Sequence, residues 1–391
     1  MDPVRNPFAP GAGAPPPELV GRADVLSSID VAIRRAALGK PARSHMLLGL
    51  RGTGKTVLLH HTAIKAQDMK DILVWEAMIE APEGGDLPKL IFPLLRAILR
   101  KLSVIEASKK AAYSGLRALR SFASAFKLEV GAASLSVDPE PGVADSGDLL
   151  LDLSELFVRI GTAAKDAGGV FLLLLDEVQY LSALELSAII TSLHKCSQAT
   201  LPVIFIGGGL PQVAGLAGNA KSYAERLFDY HVIGPLSEHE SRKAVQQPIL
   251  DEGESITSEA LDQIVADTMG YPYFLQEWGY HAWNVAEESP INIADAVAAR
   301  ENAIRRLDEG FFKVRLDRLT PKEREYVHAM ASLGREGPYR SGDIAQKLGE
   351  ASNRLGPRRA AIIKKGMIYS PDHGDADFTV PGFADYLQRL V

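Results

Sequence analysis

The chain has 391 residues, which is too long for one ordinary domain, and its composition of 46% hydrophobic and 24% charged residues is that of a soluble globular protein of two or three domains. Its net charge of −6 is unevenly spread: from Arg300 onward there are 17 Lys/Arg against 13 Asp/Glu, which leaves 26 against 36 for residues 1–299. A single cysteine, Cys196, excludes an internal disulfide framework, and neither a secretion signal nor an apolar run of roughly 20 residues is present, so we expect a cytoplasmic protein with no membrane partner.

The first stretch, up to Arg22, is rich in proline, and each proline biases the preceding residue away from helix. We therefore expect an extended strap, with a disordered tail as the alternative. The strap ends in Val20, Gly21 and Arg22. A helix is predicted directly after it, over about residues 23–37, because apolar residues recur there at helical spacing.

Residues 46–59 predict a short buried strand, a glycine-rich turn and the first turns of a helix. Gly49 to Thr56, called the P-loop below, fits the pattern G-x-x-x-x-G-K-[ST], in which backbone N–H groups and a helix N-terminus surround phosphate oxygens. In this pattern Lys55 neutralises the β- and γ-phosphates and Thr56 holds Mg²⁺. The predicted nucleotide-binding residues of this segment are Gly49, Arg51, Gly52, Thr53, Gly54, Lys55, Thr56 and Val57.

A second strand is predicted at residues 72–77, followed by helices at about 87–102 and 104–126. Residues 128–138 alternate between apolar and small or polar side chains, as a hairpin or edge strand would. A long segment, about residues 79–147, separates this second strand from the next acidic strand, and we interpret it as an insertion. Its second helix is basic, a pattern that is more often a solvated face than a nucleic-acid site.

Residues 148–167 predict a helix that leads into the apolar run 169–175, which reads as a central parallel strand. Two carboxylates, Asp176 and Glu177, end this run. Asp176 would hold Mg²⁺ through water, and Glu177 would polarise the water that attacks the γ-phosphate. The alternative is an ordinary solvated turn, but the P-loop earlier in the chain favours binding of ATP or GTP.

The order of these segments resembles prokaryotic AAA+ or STAND-type ATP-binding proteins, close to the archaeal-ATPase and origin-initiator branch, over about Val20 to Ala286. Gly49 to Thr56 matches the Walker A motif, and Asp176 to Tyr180 matches the Walker B ending. The resemblance implies that Val20, Gly21 and Arg22 contact adenine. It also implies an α/β fold: a P-loop NTPase core of the AAA+ type with a parallel sheet, a helical lid and a C-terminal winged helix.

The resemblance also implies roles for three further segments. The sensor 1 position, where related proteins carry a polar side chain, holds Gly207, Gly208 and Gly209, which puts efficient hydrolysis in doubt. Arg226 resembles the arginine finger that reaches a neighbouring subunit, although a surface ion pair is an equal alternative. Gly270-Tyr271-Pro272 resembles the G-x-P motif that packs near the nucleotide, so Pro272 joins the predicted site, whereas no arginine stands at the sensor 2 position.

The remaining chain predicts a lid and a C-terminal domain. Ser237 with Glu240 predicts a capping box at the first lid helix, and residues 293–319 predict a long connecting helix. Three helices at 321–333, 341–348 and about 354–365, followed by strands at 367–370 and 377–380, predict a winged helix. The candidate DNA-contacting residues on or beside its third helix are Arg354, Arg358, Arg359, Lys364 and Lys365.

From these patterns we predict an ATPase core at residues 1–235, a lid at 236–300, and a linker with a winged helix at 301–391. The predicted function is that of a nucleotide-dependent molecular switch that binds ATP or ADP with Mg²⁺ and hydrolyses ATP slowly, with Lys55, Glu177 and Arg226 as catalytic residues. A homo-oligomer is possible. One alternative is a DNA-binding initiator or loader, and another is a signalling or defence scaffold whose winged helix binds protein.

Overall fold

The computed structural model describes residues 1–11, 16–17, 19–69, 72–80, 86–128 and 137–390. Within these residues the chain divides into two compact units. The first, called the lid unit here, comprises Met1–Ala23, Gly49–Val57 and Ile233–Val391. The second, called the sheet unit, comprises Asp24–Leu48 and Leu58–Val232. The division into a core, a lid and a C-terminal domain at residues 235 and 300 stays a prediction.

The sheet unit is built on five parallel strands in the order β2-β3-β4-β1-β5. The strands are β1 (Ser44–Leu48), β2 (Leu73–Glu80), β3 (Gly169–Asp176), β4 (Val203–Gly209) and β5 (Phe228–Val232). Every residue of β1, β3 and β4 is buried, which is why these strands read as nearly continuous apolar runs. The predicted parallel core is thereby confirmed.

Helices flank this sheet along the chain. They are α1 (Ala23–Ala37), α2 (Lys55–Gln67), α3 (Leu87–Ser103), α4 (Lys109–Ala125), α5 (Leu149–Asp166), α6 (Ala183–Gln198), α7 (Val213–Ala220) and α8 (Ala224–Leu227). The predicted insertion at 79–147 contains α3 and α4. The hairpin or edge strand predicted at 128–138 falls mostly outside the described residues, as do Pro15 and Glu18 of the strap.

The lid unit is helical after Ile233. Its helices up to residue 317 are α9 (Glu238–Asp251), α10 (Ser258–Thr268), α11 (Pro272–Val285), α12 (Ile293–Arg306) and α13 (Lys313–Asp317). A π-helical segment, Leu307–Phe312, joins α12 to α13, so the long connecting helix predicted at 293–319 is helical throughout but changes its winding. The capping box of Ser237 and Glu240 is present at the start of α9.

The C-terminal elements are α14 (Pro321–Ser332), β6 (Tyr339–Arg340), α15 (Ser341–Leu348), α16 (Ser352–Lys364), β7 (Ile368–Tyr369), β8 (Asp375–Phe378) and α17 (Phe383–Arg389). The strands form an antiparallel sheet in the order β6-β8-β7. The three predicted helices and two predicted strands are therefore found, with β8 starting two residues earlier than expected. Assignment of these elements to the winged-helix class stays a prediction.

The N-terminal residues pack against α11 rather than forming a free tail. Phe8 is 3% exposed and belongs to the core of the lid unit. Asn6 donates to the carbonyl of Tyr280 at 3.0 Å, and Trp283 Nε1 donates to the carbonyl of Asp2 at 2.8 Å. Pro3–Arg5 form a short 3-10 helix, so this segment is not extended from its first residue, but it is anchored by a buried aromatic ring.

Two histidines of the sheet unit form a buried pair. His45 on β1 is 0% exposed, and its Nδ1 lies 2.9 Å from Nε2 of His231 on β5, with the rings stacked. Burial, and then the neighbouring His231, lower the pKa of His45 to about 4, although Asp229 opposes this. The imidazole is therefore neutral in the folded protein at neutral pH.

This pair predicts an acid-sensitive stability. The unfolded chain takes up a proton at His45 near its ordinary pKa of about 6.5, whereas the folded chain does so only near 4. The free energy of unfolding therefore decreases as the pH falls between these values, by about 2 kcal/mol from about pH 7.5 to about pH 5. We expect His45→Gln to remove that part of the pH dependence in urea unfolding of the sheet unit. An identical pH dependence in wild type and variant would contradict this expectation.

Candidate functional site

The P-loop follows β1 and leads directly into α2, which begins at Lys55. The Lys55 ammonium is 6% exposed and donates to the carbonyls of Gly49 and Leu50 at 2.9 and 2.8 Å. The Thr53 hydroxyl donates to the carbonyl of Leu50 at 2.9 Å. The loop therefore holds a buried positive charge within its own turn, next to the N-terminus of a helix. Both features favour binding of phosphate groups.

Gly52 shows why this turn needs glycine. Its φ is +85°, in the left-handed region that favours glycine. A Cβ there would stand 3.1 Å from the Tyr271 ring and 3.1 Å from Tyr273 Cβ. Two tyrosines at the start of α11 thus lie close against the backbone of the P-loop. Packing of the G-x-P motif near a nucleotide stays a prediction.

The last residues of the strap, Val20 to Arg22, also belong to the lid unit and lie beside the P-loop. The Arg22 guanidinium donates to the carbonyl of Gly234 at 2.5 Å and to that of Thr53 at 3.4 Å. Burial lowers the pKa of Arg22, and Glu240 opposes the shift. Val20 packs against the apolar core of the lid unit. The segment predicted to contact adenine is therefore bonded to both the P-loop and the beginning of the lid.

At the G-x-P motif, Pro272 occupies the first turn of α11, where its missing N–H costs no hydrogen bond. Tyr271, the residue before it, is 3% exposed, and its hydroxyl has no hydrogen-bond partner among the residues that the structure describes. Burial raises the pKa of this phenol. A neutral, buried phenol donor therefore lies beside Gly52 of the P-loop.

The acidic pair lies at the carboxyl end of β3 in the sheet unit. Asp176 is 4% exposed, and its Oδ1 accepts from the Glu177 N–H at 2.8 Å. Glu177 has a φ of +54°, which is rare for a residue with a side chain and marks a strained, over-determined position. Its carboxylate accepts from the Gln179 side-chain amide, whose oxygen in turn accepts from the Leu210 N–H at 3.1 Å.

Gln179 is a residue of the candidate site that the sequence did not single out. It connects the Glu177 carboxylate to the residue that follows β4, and so it fixes the direction of that carboxylate. The signal was present in the sequence as the fourth residue of the Asp-Glu-Val-Gln run, but its role depends on a contact with Leu210, 31 residues away.

The glycines at the predicted sensor 1 position also have a steric explanation. A Cβ on Gly208 would stand 2.7 Å from Oδ1 of Asp176. The carboxylate predicted to hold Mg²⁺ therefore packs directly against β4, and a side chain at Gly208 would require that carboxylate to shift.

For magnesium, the relevant residues are Thr56 in the lid unit and Asp176 in the sheet unit. No cluster of three or more His, Cys, Asp or Glu side chains suited to a metal occurs within the described ranges. Mg²⁺ is commonly held through one or two protein oxygens, water and substrate phosphates. A buried carboxylate that ends a central strand fits such a role.

Arg226 lies on the short helix α8 and is exposed. Among the residues described by the structure, no carboxylate lies within ion-pair distance of its guanidinium. The alternative of a surface ion pair within the chain therefore has no support, and the arginine-finger role stays a prediction.

The five basic residues proposed to contact DNA differ in their surroundings. Arg358 forms a two-pronged pair with Glu350 at 3.0 and 3.2 Å, and Lys365 pairs with the buried Glu323 at 2.6 Å. Arg359 donates to the Ser370 hydroxyl and the Asp375 carbonyl. Only Arg354 and Lys364 are classed as exposed. Three of the five cations thus serve contacts inside the C-terminal elements, and DNA binding by this set stays a prediction.

Residues 18–206 match the family model described as AAA ATPase domain, and residues 309–387 match a domain of unknown function (DUF8462). No curated protein matches the chain significantly in sequence. In the part of the chain described by the structure, no helix is long and apolar enough to cross a membrane.

Among solved structures, the chain is similar to the Walker-type ATPase PABY2304 of Pyrococcus abyssi, with a TM-score of 0.56 and 16% identity over 95% of this chain and 96% of that one. The ORC1 protein of Aeropyrum pernix, solved in complex with DNA, gives 0.48 and 14% over 97% and 96%. The RuvB Holliday junction branch migration motor of Thermotoga maritima gives 0.43 and 14% over 94% and 95%.

The first of these likenesses shows a shared fold, and the match of residues 18–206 covers the end of the strap, the P-loop and the strand that ends in Asp176. The parallel sheet places the two Walker strands, β1 and β3, on either side of β4. Residues 18–206 thus match the AAA ATPase domain family, and the chain has the fold of a P-loop ATPase.

Proposed function

We propose that this protein binds ATP with Mg²⁺, hydrolyses it slowly, and acts as a nucleotide-dependent molecular switch. The observation that carries the proposal is the P-loop, in which Lys55 is buried within the turn and α2 begins at the same residue. Backbone N–H groups and the ammonium would neutralise the triphosphate charge. Thr56 and Asp176 would hold Mg²⁺, and Glu177 would orient the attacking water.

Slow hydrolysis follows from two features of the sheet unit. The glycines of β4 supply no side chain to stabilise charge that develops on the γ-phosphate, which is normally a large contribution to catalysis. The Gln179 side-chain amide donates to the Glu177 carboxylate. This hydrogen bond fixes the direction of the carboxylate, but it also occupies part of the negative charge that would polarise the attacking water. Binding is thus better supported than rapid turnover.

The switch part of the proposal rests on contacts within the lid unit. The P-loop is touched by the strap through Arg22, by α11 through Tyr271, and by the C-terminal elements through a bond from the Arg51 N–H to the Thr379 carbonyl at 3.1 Å. A nucleotide bound at the P-loop would favour one arrangement of these partners through its differential affinity. STAND-like regulation is one form that such a switch takes.

Isothermal titration calorimetry with ATP, ADP and GTP in the presence of Mg²⁺, together with phosphate release measured on the same sample, tests this proposal. We expect binding of ATP and ADP, a weaker response to GTP, and slow phosphate release. Absence of binding of all three nucleotides by folded protein would overturn the proposal.

Two other functions were considered for the same chain. An initiator or loader that binds DNA through a winged helix would need free basic side chains on α16, but Arg358, Arg359 and Lys365 are engaged inside the protein. A scaffold whose C-terminal elements bind protein does not have that requirement. Neither is favoured by a specific contact over the nucleotide switch.

A homo-oligomer is part of the proposal because Arg226 has no acidic partner in the described part of its own chain. If Arg226 acts on the γ-phosphate of a neighbouring subunit, mixing Arg226→Ala protein with Lys55→Ala protein restores part of the phosphate release that each lacks alone. Arg242→Ala is a matched surface control, since that arginine is paired with Asp262. A strictly monomeric protein with ATP bound, measured by light scattering, would rule this role out.

A further inference from the structure

One arginine in the connecting helix is held by an aromatic ring and a backbone carbonyl. Arg315 on α13 lies over the ring of Phe311, with its guanidinium carbon 3.7 Å from the ring centroid. Its Nη1 donates to the Phe311 carbonyl at 2.9 Å. These two contacts hold the guanidinium flat on an aromatic face and leave its other N–H groups available for a ligand.

This arginine is linked to the P-loop by a short stack of aromatic rings. Phe311 stacks on Tyr273, with ring centroids 5.0 Å apart and an angle of 26° between the rings. Tyr273 in turn lies against Gly52, since a Cβ built on that glycine would be 3.1 Å from Tyr273 Cβ. Arg315 is therefore two aromatic side chains away from the phosphate-binding turn.

The electrostatic surroundings of Arg315 lack an acid. No Asp or Glu within the described ranges lies at ion-pair distance from its guanidinium, and its strongest charged neighbour is Arg51 of the P-loop. Burial and Arg51 lower the pKa of Arg315 to about 10. The Tyr271 phenol lies within the field of both arginines.

We propose that Arg315 binds the terminal phosphate of a nucleoside triphosphate held in the P-loop. The inference rests on the proposed nucleotide binding and adds a residue that neither the Walker motifs nor the family match assigns. A guanidinium forms strong charge-assisted hydrogen bonds to phosphate. It would supply a cation that the sensor positions of this chain lack.

The position of Arg315 gives this contact a consequence beyond affinity. The residue lies on α13, three residues after the π-helical segment and directly before α14, which opens the C-terminal elements. A terminal phosphate bound by Arg315 would shift the position of α13. A nucleoside diphosphate lacks this phosphate and would not reach Arg315. The linker would thus distinguish ATP from ADP and pass the difference to the C-terminal elements.

The test is the ratio of ATP to ADP affinity in the full-length protein, measured by calorimetry with Mg²⁺. We expect Arg315→Ala to weaken ATP binding about 10- to 100-fold, as for loss of a charge-assisted hydrogen bond, and to leave ADP binding within about threefold. Arg315→Lys should retain part of the ATP affinity because the charge remains. Lys313→Ala, on the same helix and exposed, is the matched control and should behave as wild type.

Each outcome decides a different question. If wild type binds neither nucleotide, the proposed function fails and this inference fails with it. If wild type binds ATP and Arg315→Ala loses ATP and ADP affinity equally, Arg315 is only a structural residue and the inference alone is overturned. Should the alanine variant melt early, Arg315→Gln, which can still donate to the Phe311 carbonyl, replaces it, and an unchanged ATP-to-ADP ratio in that variant overturns the inference.

Discussion

Replacing Lys55 by alanine is expected to weaken ATP binding by about 100-fold or more, because the substitution removes the charge that offsets the β- and γ-phosphates. Phosphate release should fall to background for the same reason. Calorimetry with ATP and Mg²⁺ measures the first effect directly. Lys65→Ala is the matched control, since Lys65 lies on the same helix, is half exposed and pairs only weakly with Asp30 at 3.9 Å.

The Lys55 variant also needs a check of folding, because the lysine is buried and donates two hydrogen bonds to the P-loop itself. Loss of these bonds leaves the carbonyls of Gly49 and Leu50 short of a donor, which costs about 1–3 kcal/mol if water cannot replace it. Thermal unfolding of the variant without nucleotide separates that cost from lost binding. Unchanged ATP affinity in folded Lys55→Ala protein would contradict the assignment of the P-loop.

Much of the sheet unit could be predicted because its signals are local. The strand that ends in Asp176 is a buried apolar run, and the strand before Gly49 is a shorter one. The P-loop is recognisable because its glycines must adopt conformations that other residues avoid. Capping boxes at Ser237 and Thr320 likewise depend on two residues three positions apart, so the sequence alone is enough to find them.

The elements that were missed or shifted are short or are defined by distant partners. Strand β6 has two residues, and it exists because Tyr339 and Arg340 pair with Ala376 and Asp375. Strand β8 was expected at 377–380, but Thr379 follows its end and donates its hydroxyl to the Gly366 carbonyl at 2.7 Å. No periodicity within a segment reveals such pairings.

The candidate site shows the same limit in its charged residues. Sequence counting found five basic residues on or beside α16, but it could not show that Glu350 and Glu323 neutralise two of them. It equally gave no reason to notice Arg315, whose importance lies in the absence of an acid and in a stack of rings reaching the P-loop. A count of charged residues in the sequence predicts the electrostatic field of a region. A binding site depends instead on which charged side chains lack a partner of opposite charge after folding.

Replacing Glu177 by glutamine is expected to leave ATP affinity within about threefold of wild type and to lower turnover by about 100- to 1000-fold, because the variant keeps the shape of the side chain but cannot polarise water. Calorimetry and single-turnover phosphate release measure the two quantities separately. The exposed Glu155→Gln on α5 is the matched control.

The surroundings of Glu177 sharpen this expectation. Gln179 donates to the Glu177 carboxylate and accepts from the Leu210 N–H, so Gln179→Leu should reduce turnover by about 10-fold through misdirection of an intact carboxylate, again without loss of ATP affinity. Because the base itself is missing in Glu177→Gln, adding Gln179→Leu to that variant should cause little further loss. Full additivity of the two substitutions would show that Gln179 acts independently, and normal turnover in Glu177→Gln would remove Glu177 from the reaction.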